Sequence, residues 1–192
     1  LDRLLDDHGG NRSILSLDCF DTLVWREVMA PTDAFYRLSE FPTFRKLGLT
    51  ARSRISGESA ARSARHLRDA KHEVSLAEIY RHTAPGAADD EIARLVADEL
   101  ALEKQICFGF APMLSLARRA KATGKRVIIV SDTYFDEQQL HELIAAALGV
   151  DLLDGLIDRV FCSSRFGVSK FNGLFADVMR EWNVDATEIL HV

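Results

Sequence analysis

The feature that most constrains this chain is a set of four short apolar runs, Ile14–Leu17, 127–130, Arg159–Cys162 and 189–192. Runs this short, rich in Ile, Val and Leu, read as strands buried on both faces. Between the later runs lie stretches with apolar residues at three- and four-residue spacing. Pro112 opens a helix over 113–123 that Gly124 stops, and a second helix over 136–148 ends at Gly149. A third, over 171–182, collects Leu174, Phe175, Val178, Met179 and Trp182 on one side. Strands alternating with helices are the signature of an α/β fold with a parallel sheet.

The alternation is interrupted once. After the first strand and before Pro112, residues 51–70 and 89–107 read as helices and 75–82 as a shorter one, with Ser75 and Glu78 spaced as a capping box. Pro85-Gly86 marks a turn between two of them. The expectation is a core made of 1–24 and 108–192, with an all-helical insert, 25–107, on the edge of the sheet that carries the strand carboxyl ends. Phe108-Gly109-Phe110 reads as the returning hinge, where glycine allows a bend between rigid bodies.

Several classes of partner are disfavoured. A net charge of -5 offers no global attraction to nucleic acid or anionic membrane. The apolar runs are far too short to span a bilayer, so no membrane insertion is expected. The three cysteines, Cys19, Cys107 and Cys162, form no C-x-x-C pair and read as reduced thiols of a cytoplasmic protein. The six histidines show no zinc-binding spacing. The acidic start, Leu1-Asp2-Arg3-Leu4, lacks the order of a secretory signal and an initiator Met; a longer parent with further linked domains is expected.

Ligands of parallel α/β sheets bind beyond the carboxyl ends of the strands. Asp18-Cys19-Phe20-Asp21-Thr22 follows the first strand, Ser131-Asp132-Thr133 the second, and Ser169-Lys170 the third after a loop. Singly, such residues are usually helix caps, turn formers or solvated charges. Together, at one edge, a carboxylate, a hydroxyl and an ammonium can hold an anionic substrate and attack it.

The strand ending in Asp18, with Thr22 four residues on, resembles the first motif of the haloacid-dehalogenase-like (HAD) hydrolase superfamily. Residues 127–130 followed by Ser131 resemble its second motif, and Lys170 in Ser169-Lys170-Phe171-Asn172-Gly173 its third. The resemblance implies a Rossmann-like core with the insert as a C1 cap. The wording Leu17-Asp18-Cys19-Phe20-Asp21-Thr22-Leu23 with Ser131-Asp132-Thr133-Tyr134 is most similar to HAD domains joined to bacterial glycosyltransferases or polysaccharide-biosynthesis proteins. It further implies that Asp18 forms a covalent aspartyl intermediate on a small phosphorylated substrate, that Ser131 binds the transferring group, and that Lys170 offsets its charge. Mg2+ would be held by Asp18, the backbone carbonyl of Phe20 and an acid after the fourth strand. The cation and ammonium offset the repulsion between a phosphate and a carboxylate.

Two departures stand out. Phe20 occupies the position where phosphatases of this superfamily carry a second, acid/base Asp, and Asp21 follows it. In an extended segment a one-residue shift turns a side chain to the opposite side, so Asp21 is not a simple replacement. The sequence reaches His191-Val192 where the family's Gly-Asp motif would follow, so that ligand is expected in the parent chain. The readings left open are a phosphatase with its proton donor elsewhere, a haloacid dehalogenase, whose halide needs no proton, and a weak or inactive HAD domain of a multidomain protein.

Among other candidates, Arg26, just past Leu23, is expected to contact substrate. Asp132 and Thr133 either line the pocket or cap the following helix, and Ser163, Ser164 and Arg165 read as loop. Arg52, Arg54, Arg62, Arg65, Arg68 and Lys71 make the first insert helices basic, as a solvated face or as a patch drawing in an acidic substrate. Cys19 is expected to point into the core rather than act as a nucleophile.

Overall fold

The computed structural model describes residues 4–8, 10, 12–149 and 155–192. Its main sheet contains β1 (Ile14–Leu17), β4 (Arg126–Ser131), β5 (Arg159–Cys162) and β6 (Ile189–His191) in the order β5-β4-β1-β6, all neighbours parallel. Building proceeds outward from β1 to β4 and β5, then returns to the other side of β1 with β6. The strand order therefore reverses at β1, and in such sheets the ligand crevice lies at the carboxyl ends beside that reversal.

Alternation along the strands divides the core. Ile14, Ile128, Val130 and Phe161 meet Leu174 and Val178 on one face. Leu15, Leu17, Val127, Ile129, Val160 and Cys162 meet Met113, Leu116, Leu140, Leu143 and Ile144 on the other. Both faces are covered, which is why the strand sequences show no polar alternation.

The crossover helices lie close to their expected spans: α7 (Ala111–Ala122) and α8 (Glu137–Leu148). Asp136 caps α8 by accepting the Gln139 N–H, and Gly149 ends it at φ 61°. The helix expected over 171–182 is divided instead. Lys170–Leu174 forms a π-type turn with Gly173 at φ 121°, and α10 (Phe175–Trp182) follows. The apolar spacing is helical on both sides of the break, but only glycine readily adopts that backbone angle. A short helix, α9 (Ser163–Phe166), stands where a loop was expected.

The insert contains α2 (Ala34–Leu38), α3 (Pro42–Lys46), α4 (Ala51–Asp69), α5 (Leu76–Thr83) and α6 (Asp89–Ile106). At its root, β2 (Val24–Arg26) pairs antiparallel with β3 (Cys107–Gly109), so the returning hinge is one strand of a two-stranded ribbon that closes the insert. A Cβ on Gly57 of α4 would lie 2.0 Å from Thr83 Oγ1 of α5, so this glycine lets the two helices touch. No helix among the described residues is long and apolar enough to cross a membrane.

The basic face expected on the insert is not a free patch. Arg54 is fully buried, and its Nε and Nη2 each lie 2.8 Å from a Glu99 oxygen. Arg62 pairs with Glu58 and Glu73, and Arg65 and Arg68 pair with Asp69 and Glu78. Lys71 Nζ donates to the Phe166 carbonyl at 2.8 Å. Intrahelical periodicity cannot show that neighbouring elements supply an acid to Arg54, Arg62, Arg65 and Arg68 and a carbonyl to Lys71, while Arg52 stays exposed.

Candidate active site

The β1–β6 ladder continues to Asp18 itself. The Val192 N–H donates to the Ser16 carbonyl at 2.9 Å, and the Asp18 N–H to the Val192 carbonyl at 2.8 Å. The chain then coils rather than staying extended. The Leu23 and Val24 N–H groups both donate to the Cys19 carbonyl at 2.9 Å, and Asp21 adopts φ 59°. The simple alternation expected across 18–22 therefore does not apply, although Asp21 still ends up exposed.

Asp18 Oδ1 accepts the Cys19 N–H at 2.7 Å, and Oδ2 contacts Lys170 Nζ. The two side chains are 29% and 20% exposed, so a ligand can still reach the pair. The π-type turn that presents Lys170 is capped by Ser169, whose hydroxyl accepts the Asn172 N–H. Such turns recur at functional sites. The Lys170 N–H donates to Asp132 Oδ1 at 2.7 Å, which ties the loop after β4 to the same residue. Partial desolvation raises the Asp132 pKa, with Glu73 and Asp18 adding to it against the pull of Lys170.

Ser131 closes β4, is 1% exposed, and no described residue engages its hydroxyl. Thr22 is half-buried in the turn and its hydroxyl is likewise unpaired among the described residues. The Thr133 hydroxyl faces its own loop, accepting the Phe135 N–H at 3.2 Å, while its N–H donates to Ser163 Oγ at 2.9 Å. Arg26 turns to Glu103, with Nε 2.8 Å from a carboxylate oxygen, and its guanidinium lies 3.9 Å from the Phe20 ring centre. The structure thus brings Asp18, Lys170 and Asp132 together, with Ser131 at the neighbouring strand end. Thr133 and Arg26 spend their polar groups on other protein atoms. Cys19 is buried, and burial followed by the Asp18 charge pushes its thiol well above its usual range, away from nucleophilic behaviour.

Four further residues were not singled out by sequence. Glu99 and Glu103 interrupt the buried stripe of α6, Ile92, Leu95, Leu102 and Ile106, and acids within such a stripe signal buried cations. Glu73 is 8% exposed and joins insert to core, accepting Ser163 Oγ at 2.8 Å and Arg62 Nη1 at 2.9 Å. Nothing local marks it in the sequence. His191 Nδ1 lies 3.0 Å from Ser16 Oγ. Burial and the Lys170 charge lower its pKa, against Asp18 and the Ser16 bond.

The oxygen donors available for a hard cation are the Asp18 carboxylate and the Phe20 carbonyl, which accepts no hydrogen bond from a described residue. No group of three or more His, Cys, Asp and Glu side chains is placed to hold a metal among the described residues. Mg2+ ordinarily retains waters and uses one or two carboxylates together with substrate phosphate. The donors therefore fit Mg2+ held jointly with a phosphate, and they do not form a cage of protein ligands alone.

The backbone defines a haloacid-dehalogenase-like fold. A 2-haloacid dehalogenase from Pseudomonas syringae pv. Tomato DC3000 superposes with TM-score 0.58 at 18% identity, over 94% of this chain and 76% of that one. A HAD family enzyme from Bacteroides thetaiotaomicron gives 0.58 at 12% identity, over 94% and 83%. A phosphoglycolate phosphatase predicted in Haemophilus somnus 129pt gives 0.52 at 12%, over 94% and 76%. No family model and no curated protein matches the sequence. The fold is thus shared with a dehalogenase and with a predicted phosphatase.

Proposed function

We propose that this chain is a hydrolase that works through a covalent intermediate on Asp18 and releases phosphate from a small phosphorylated metabolite. The observation that carries this reading is the accessible Asp18–Lys170 pair at the carboxyl end of β1, where the strand order reverses. Lys170 holds the attacking carboxylate in place and offsets the charge of an incoming phosphate. The Ser131 hydroxyl, unpaired at the adjacent strand end, is available to bind the transferring group. Mg2+, held by Asp18 and the Phe20 carbonyl, would supply further charge neutralisation. The helical insert packed over this edge serves as the cap that selects the substrate.

Phe20 in place of an acid, stacked under Arg26, favours a second reading as a haloacid dehalogenase. Attack by Asp18 at carbon would then expel a halide that needs no proton. The two are separated by assaying phosphate release from a panel of phosphomonoesters with Mg2+, and halide release from 2-haloacids, for wild type and Asp18→Asn. The expected result is phosphate release that falls by about 10⁴-fold or more in Asp18→Asn. Halide release alone selects the dehalogenase. Neither product, together with no beryllofluoride adduct, makes the domain a binding module.

A further inference from the structure

The phosphatase reading leaves the leaving oxygen without a proton donor, because Phe20 stands where an acid is expected. Several acids can be eliminated by geometry. Both Glu73 oxygens are engaged, one by Arg62 and one by Ser163. Glu99 and Glu103 are closed into ion pairs at 1% exposure each. Asp21 is exposed at a left-handed backbone position in the turn beyond Asp18. His191 holds Ser16 through Nδ1 and meets Phe175 edge-on with ring centres 4.9 Å apart.

Asp132 differs from all of them. It is exposed at the mouth of the site, and its Oδ1 is fixed by the Lys170 N–H, whose ammonium contacts Asp18. Among the described residues nothing claims its second oxygen. The register places Leu17 beside Ile129, so Asp18 is level with Val130 and Asp132 lies two residues further along. With strands about 4.8 Å apart and a rise of about 3.3 Å per residue, the two Cα atoms lie about 8 Å apart. That spacing leaves room for a phosphoryl group between the carboxyls while letting one ligand touch both.

We propose that Asp132 is the proton carrier of this site, resting on the phosphatase reading above. In the first step an Asp18 oxygen bonds to phosphorus, the bond from phosphorus to the leaving oxygen breaks, and that oxygen takes the Asp132 proton. The products are the aspartyl-phosphate, an alcohol and the Asp132 carboxylate. In the second step Asp132 removes a proton from water as the water oxygen bonds to phosphorus. The bond from phosphorus to Asp18 breaks, giving inorganic phosphate, the Asp18 carboxylate and protonated Asp132. The charged groups facing Asp132 are Lys170, Glu73 and Asp18. Partial desolvation and the two acids favour its protonated form and Lys170 opposes them, with a net rise, the direction that suits a proton donor.

The competing role is structural: Asp132 would merely cap the turn that presents Lys170. Asp132→Asn separates the two, because its amide oxygen can still accept the Lys170 N–H but the side chain cannot supply a carboxyl proton. The measurement is kcat/KM on phosphomonoesters ranging from nitrophenyl to alkyl leaving groups. The expected loss is about 10²–10⁴-fold for alkyl esters and little for nitrophenyl phosphate. On nitrophenyl phosphate the variant should also release one nitrophenol per site in a burst before a slow steady state. Asp132→Glu should restore the shallow leaving-group dependence. An equal loss across all leaving groups, without a burst, overturns the proposal while leaving Asp18 as nucleophile. If wild type hydrolyses no ester and traps no beryllofluoride, the phosphatase reading falls, and this inference with it.

Discussion

Two carboxylate–cation pairs, one at the sheet edge and one inside the insert, use the same chemistry for opposite ends. Asp18 and Lys170 are 29% and 20% exposed, whereas Glu99 and Arg54 are 1% and 0% exposed. The buried pair is saturated. Arg54 gives two hydrogen bonds to Glu99 and one to Glu58, Tyr80 Oη donates to Glu99, and the guanidinium lies 4.5 Å from the Phe35 ring centre and 4.9 Å from that of Tyr134. Nothing remains there for a ligand to take. The edge pair keeps solvent access, so a substrate can enter its field. Accessibility and unspent hydrogen-bonding capacity, not the presence of paired charges, distinguish a candidate site from a structural bond.

Removing one acid from each pair tests this division. Glu99→Ala leaves the buried guanidinium with only Glu58, which Arg62 shares, as an acid partner and should cost about 3–5 kcal/mol. In a domain of this size that is a fall in midpoint on the order of 10 °C. Asp18→Asn should abolish turnover yet shift stability by no more than about 0.5 kcal/mol, since Lys170 retains water. Thermal unfolding of both variants makes the comparison, and equal losses would break it. Replacing Arg54 and Glu99 together by Met and Leu should recover most of the loss, because apolar packing can replace a buried pair.

The difference between the pairs was only partly legible in sequence. Asp18 and Ser131 could be found because buried parallel strands announce themselves as apolar runs, which fixes the residues at their ends at the binding edge, and Lys170 because the wording around it resembles a known motif. Arg54 could not be placed in the same way. It reads as one of a row of helix arginines, and its burial depends on Glu99, 45 residues away on α6. The two-stranded ribbon of β2 and β3 escaped for a related reason, since three-residue strands carry no periodicity and their pairing is set by the root of the insert. Gly173 divides an otherwise helical pattern through a backbone angle that residue spacing does not encode. The tether from Asp132 to Lys170 spans 38 residues and uses a backbone N–H, to which side-chain pattern is blind.

The helix carrying Arg54 gives a smaller test of how tightly the insert is set. Gly57→Ala improves helix propensity by about 1 kcal/mol. The new Cβ, however, would sit 2.0 Å from Thr83 Oγ1 and 2.8 Å from Thr83 Cα. A hydroxyl can rotate away, but the backbone of α5 cannot, so overpacking at about 1–3 kcal/mol wins. A net loss in urea unfolding, with the slope unchanged, is the expected outcome. A gain would show that α4 and α5 separate easily and that the buried pair is not held by their contact.

The smallest effect lies where the insert meets the core. Ser75 caps α5, and the next residue, Leu76, donates its N–H to the Tyr134 carbonyl at 2.8 Å, joining the cap to the loop that carries Asp132. Ser75→Ala should cost about 1 kcal/mol at neutral pH. Burial alone would raise the Glu78 pKa, but the N–H and hydroxyl of Ser75, with Arg65 and Arg68, outweigh it and lower the value. A carboxylate with a depressed folded pKa stabilises the fold above its unfolded value of about 4.3, and that contribution disappears as pH falls through the folded value. The gap between wild type and Ser75→Ala should therefore be full at pH 7 and narrow as pH falls below about 4, because part of the hydroxyl's worth is its bond to the ionised carboxylate. Stability measured by urea unfolding across that window checks the sign. A gap that stays constant on acidification would mean that the hydroxyl acts only on the Glu78 N–H, and that the cap–core junction draws nothing from the charge.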